Sequence, residues 1–86
     1  MSSQSPDYQL HDGEQDAAVL ALSGDWTQGQ HPARFTSVEP ELARRHLAQL
    51  TTDGAALGDW DSMLMGFLLQ CHDYCRAQKI LFATRN

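Results

Sequence analysis

Basic residues are scarce in this chain. Six Lys+Arg stand against eleven Asp+Glu, a formal net charge of −5 at pH 7, and Arg34, Arg44, Arg45, Arg76, Lys79 and Arg85 form no long run. Such a surface repels a polyanion, so nucleic acid is not an expected partner. Long apolar runs are missing too: none approaches the roughly 18 residues needed to cross a bilayer. Met1-Ser2-Ser3-Gln4-Ser5-Pro6 has neither the basic start nor the apolar core of a signal peptide. The segment is therefore expected to be soluble and cytoplasmic. Cysteine is limited to Cys71 and Cys75, one helical turn apart, where a bridge would need unusual geometry. Both are read as reduced thiols. No Gly-rich phosphate loop occurs, and His11, His31, His46 and His72 are scattered, with no nucleophile in a recognisable setting. An enzyme is not expected, and neither is a cofactor. The length, 86 residues, leaves room for one small domain with a modest core.

Residues 1–6 form a Ser-rich polar lead read as a disordered end, and residues 7–86 as a single domain. Tyr8-Gln9-Leu10-His11 alternates, Asp12 to Asp16 is a turn cluster, and Ala17 to Leu22 is a dense apolar run closed by Ser23-Gly24. That pattern predicts a hairpin with a buried second strand. The polar stretch from Asp25 to Val38 shows no period, and Pro40, with Ser37 as a possible cap, suggests a short helix to Arg45. Between His46 and Leu57 helix and strand signals conflict, since Leu42, Ala43, Leu47 and Leu50 could extend the helix while Leu50-Thr51-Thr52 resembles strand. From Ser62 to about Gln78 the reading is firm. Trp60, Leu64, Phe67, Leu68, Cys71 and Cys75 share one helical face, away from Asp73, Arg76 and Gln78. Lys79 to Thr84 then reads as another buried strand. No internal repeat is identified along this order.

The turn Asp59-Trp60-Asp61-Ser62 runs straight into that apolar helix. Asp59 or Asp61 can cap it and complement its dipole, and Ser62 is placed on the surface beside the helix's free N–H groups. Ser62 is thus a candidate phospho-acceptor or partner contact, against the plainer reading that Asp61 and Ser62 only cap the helix. Trp60 can anchor an interface, but its place on the apolar face favours burial. Trp26 is read as either closing the core edge or exposed at the same end of the sheet. Met63 and Met65 lie off the main face, where adaptable thioethers suit a partner groove or a neighbouring helix. Cys71, His72 and Cys75 place possible metal ligands within five residues, yet no second ligand pair has suitable spacing, so no metal is expected.

Leu22-Ser23-Gly24-Asp25-Trp26, followed by Thr52-Asp53-Gly54-Ala55-Ala56-Leu57-Gly58-Asp59-Trp60-Asp61-Ser62-Met63-Leu64 and then Phe67-Leu68-Leu69, resembles the STAS family, the sulphate transporter and anti-sigma factor antagonist domains. The likeness spans about Leu20 to Phe82 and is nearest to the STAS-like domain at the N-terminus of Mla-type permeases of lipid-transporting ABC systems.

The resemblance implies an α/β fold, a small mixed β-sheet of about four strands packed by helices, with the third strand at about His46 to Thr52. It implies further elements beyond the fourth strand, so the domain is read as truncated at its C-terminal end and prone to self-association through exposed apolar surface. It also implies a non-catalytic regulatory or protein-interaction domain of a bacterial phospholipid-transporting ABC permease. The parent protein would be membrane-embedded, with this segment on the cytoplasmic side of the inner membrane. Partners would be the ATPase subunit or another transporter component, met through the Asp59–Met65 turn and helix start: Asp59, Trp60, Asp61, Ser62, Met63 and Met65. The alternative is a stand-alone anti-sigma factor antagonist switched by Ser phosphorylation. Those antagonists typically read Asp-Ser-Ser-Gly, whereas Met63 and Leu64 here replace the second Ser and the Gly, which counts against a switch.

Overall fold

A computed structural model describes residues 5–85. Seven elements follow one another: β1 Asp7–Asp12, β2 Ala17–Trp26, a 3-10 turn Gln28–Gln30, α1 Phe35–Ala43, β3 Gln49–Trp60, α2 Ser62–Ala77 and β4 Leu81–Arg85. The strands form one sheet in the order β1-β2-β3-β4. The hairpin pairs β1 with β2 antiparallel, while β2–β3 and β3–β4 are parallel, joined by crossovers through α1 and α2. This is the small α/β fold with a mixed four-stranded sheet expected from the sequence.

Burial follows the period-two alternation of β2, in which Ala18, Leu20, Leu22, Gly24 and Trp26 all turn inward. Their partners Leu50 and Thr52 on β3 lie on the same side, since Ala18 is in register with Leu50 and Leu20 with Thr52. Onto this face α2 presents Leu64, Phe67, Cys71 and Cys75, and α1 presents Phe35, Val38 and Leu42. Phe67 joins the two helices to the sheet: its ring lies edge-on to Trp26 at 4.8 Å and to Phe35 at 6.1 Å. The Trp26 indole N–H donates to the Ser23 carbonyl at 3.0 Å, so this buried ring keeps its hydrogen bond.

Several boundaries differ from the sequence reading. Helix α1 starts at Phe35 rather than Pro40, because the stripe Phe35, Val38, Leu42 rewards a longer helix. Ser37 lies inside it and does not cap it, and Pro40 is accommodated on the exposed side at the cost of one helical hydrogen bond. Strand β3 runs well past Thr52 to Trp60, because β2 offers a pairing template out to Trp26, which is in register with Trp60. Two register shifts absorb the extra residues around Gly54 and Gly58. Strand β4 starts at Leu81, after a left-handed Lys79, and it is not buried: Leu81 is 72% exposed. Of the lead, residues 1–4 lie outside the described residues. Ser5 and Pro6 cross closely over Gly24, where a Cβ would collide with the Ser5 carbonyl. Gly24 also has φ +78°, so two independent reasons require glycine there. Among the described residues no helix is long and apolar enough to cross a membrane.

Candidate functional site

Parallel strands β2 and β3 end side by side, and α2 begins one residue later, so the C-terminal edge of the sheet and the N-terminus of a helix meet at one place. Asp61 is the joint. Its Oδ1 accepts from the Met63 backbone N–H at 2.8 Å, making it the cap of α2, and its Oδ2 accepts from the Gln28 N–H at 3.1 Å. Its own N–H donates to the Trp26 carbonyl at 3.2 Å. One residue therefore ties the helix start to the end of β2 and to the 3-10 turn. Asp59 does not cap; its backbone N–H donates instead to Asp25 Oδ1 at 2.9 Å.

Around this joint the candidate residues come together on the surface. Ser62 is exposed in the first turn of α2. Met63 is 38% exposed, Met65 55% and Trp60 55%. The burial expected for Trp60 is thus overturned: it ends β3, before the helical phase begins, and β4 pairs with β3 only as far as Asp53. No strand covers that flank among the described residues. Trp60, Leu57, Leu64, Met65 and Leu68 instead line a shallow apolar cavity of about 250 Å³, together with Thr84 and Arg85. Trp26, left open by the sequence, is fully buried. A larger cavity, about 700 Å³, opens at the opposite end of the sheet, lined by Asp16, Glu39, Arg45, His46 and Tyr74 among others. It contains His46 but none of the residues proposed for the site at the start of α2.

Sequence reasoning missed Asp25 and Gln28 as braces of this site, although a signal was present. Gly24-Asp25-Trp26 recurs as Gly58-Asp59-Trp60, and the sheet sets the two tripeptides on neighbouring strands with their tryptophans in register. The reading of no internal repeat needs that correction, short as the repeat is.

The thiols face inward. Cys71 and Cys75 are free and fully buried, while His72 and Asp73 between them are exposed, so the three possible ligands do not converge. Burial pushes the Cys71 thiol up to about 12, with the neighbouring Cys75 adding to it, and pushes Cys75 up to about 11. Away from the joint, Tyr8 donates its hydroxyl to Glu41 at 2.7 Å, and this bond, with burial, raises the phenol to about 12. No family model matches this sequence, and no curated protein matches it.

Proposed function

We propose that the protein is a non-catalytic interaction domain that docks through the start of α2, and that it serves as the STAS-like part of a lipid-transporting ABC permease. The observation that carries the docking reading is the surface around Asp61: Trp60, Met63 and Met65 are exposed together with Ser62 at a helix start held by three backbone hydrogen bonds. A partner gains large apolar area there without having to order the surface first. The transporter assignment rests on the resemblance of Leu22–Trp26 and Thr52–Leu69 to STAS domains; the partner would then be the ATP-hydrolysing subunit or another transporter component.

The test is copurification of the native protein with membrane transporter components from its source cells, with Met65→Lys and Ser62→Lys alongside. Both residues are exposed, so the variants should fold while losing association. Unchanged association with every component would overturn the docking surface. A soluble native species with no membrane partner would overturn the transporter role alone.

The second reading, a phosphorylation switch, draws on the exposure of Ser62 at the positive end of α2, where a phosphate is electrostatically tolerated even beside Asp59 and Asp61. Incubation with an anti-sigma factor kinase and ATP should then add one phosphate to the intact mass. No added mass would sink it.

A further inference from the structure

We propose that the cavity at the far end of the sheet binds a small aliphatic polyamine, with its ammonium groups held by Asp16 and Glu39. Helices α1 and α2 each connect parallel strands, so both finish at this end, α1 at Ala43 and α2 at Ala77. Their partly negative C-termini point the same way, which favours a cation here. The cavity measures about 700 Å³, a size that suits a small ligand. Its walls come from segments between Asp16 and Ile80, before the last strand begins. Ser62 and Met63 lie at the other end of the sheet, so the site is independent of the docking reading above.

The lining side chains supply both the charge and the shape. Asp16 and Glu39 face the cavity, and neither carboxylate has a hydrogen bond or ion pair among the described residues. Arg45 is the only Lys or Arg in the lining, and its guanidinium is already engaged: Nε donates to Asp12 at 2.7 Å and Nη1 to the Glu41 carbonyl at 2.8 Å. Arg44 and Lys79, which follow the two helix ends, are not in the lining. The two acids are therefore left to a ligand. Asp16 is held in place by its turn, in which Gln15 and Asp16 have φ 55° and 60°, while the Asp16 carbonyl accepts from the Ala48 and Gln49 N–H groups at 2.7 and 3.4 Å. A residue pinned this way costs little to order on binding. Tyr74 is half-buried in the wall; burial, and next the charge of Glu39, raise its phenol above the ordinary value. An ammonium at Glu39 thus meets a carboxylate beside an aromatic ring. Leu47 and Ile80 add apolar surface for the methylene chain.

NMR titration of the full, nitrogen-15-labelled chain with putrescine tests this. Amide shifts should cluster around Asp16, Glu39, Tyr74 and Gln78 and saturate with a Kd at or below about 1 mM. Asp16→Asn and Glu39→Gln should each weaken binding by about three- to fivefold. Both variants should fold, because the two side chains are exposed and Asn tolerates the left-handed backbone at Asp16. Asp7→Asn removes the same charge at the opposite end of β1 and should leave the affinity unchanged. Magnesium ion, with the charge of putrescine but no methylene chain, should bind more weakly at equal ionic strength. The absence of a saturable shift overturns the proposal, as does equal affinity for magnesium or an equal loss from Asp7→Asn, either of which would mark a diffuse response of an acidic surface.

Discussion

Gly24-Asp25-Trp26 and Gly58-Asp59-Trp60 are the same tripeptide at the ends of neighbouring strands, and they have opposite fates. Trp26 is fully buried, edge-on to Phe67, while Trp60 is 55% exposed over a shallow cavity. Gly24 has a left-handed conformation beneath Ser5, whereas Gly58 has no positive φ and faces chiefly the Asp25 side chain. Asp25 accepts a hydrogen bond from the Asp59 backbone, and the Asp59 side chain is left exposed. The difference comes from neighbours: Trp26 turns into the core against Phe67 of α2, while Trp60 ends β3 beside the shallow cavity and before α2 begins. One copy belongs to the core, the other to a surface.

The pair can be broken most sharply at tryptophan. Trp26→Ala should cost about 3–5 kcal/mol, because it removes a large buried ring and strands Phe67 beside a cavity. Trp60→Ala should cost less than about 1 kcal/mol, while weakening any partner bound at the α2 start. Urea unfolding of the two variants decides this, and equal costs would contradict the contrast. Next comes the joint between the copies: Asp61→Ala removes the cap of α2 and the acceptor for Gln28, an expected loss of about 1–2 kcal/mol in the same measurement. Asp59→Ala, lacking either role, should fall within about 0.5 kcal/mol of the parent.

Glycine sharpens the comparison further. Gly24→Ala meets both a positive φ and backbone atoms that cannot yield, and should cost at least about 1 kcal/mol in melting experiments. Gly58→Ala meets chiefly the Asp25 carboxylate, which must give up its bond from the Asp59 N–H to make room, and with no positive φ to add strain it should cost less.

Two smaller effects probe the frame around the pair. Tyr8 has its pKa raised in the folded state to about 12, so the folded protein holds that proton more tightly than the unfolded chain. Its stabilising contribution is full below the ordinary value of 10.0 and is lost as pH rises through about 12. Tyr8→Phe should flatten the alkaline fall in stability over that window, as followed by circular dichroism. Cys71 and Cys75, buried with raised pKa values, should react with a thiol reagent at pH 8 only as fast as the protein opens. Fast labelling of the folded protein would contradict their burial.

Much of this was legible in the residues. The hairpin, the helix from Ser62 and its inward face of Leu64, Phe67, Cys71 and Cys75 follow from period two and period 3.6. The exposed Ser62 and the capping role at Asp61 follow from the chemistry of helix starts. The start of α1 was hidden by Pro40, a strong local signal overruled by the burial of Phe35, Val38 and Leu42. Likewise Trp60, one residue before the cap, sits in helical phase with Leu64 on paper, but the chain is strand until Asp61.

What residue order determined by itself was the hairpin, the helix that follows Asp61 and the capping at that helix's start, because periodicity and capping act over a few neighbouring residues. Tertiary structure alone decided how far β3 extends and which tryptophan enters the core. Both depend on what a distant segment places alongside: Trp26 as the register partner of Trp60, and Asp25 as the acceptor for Asp59. Side-chain burial is a property of neighbours across the sheet, and local sequence does not name them.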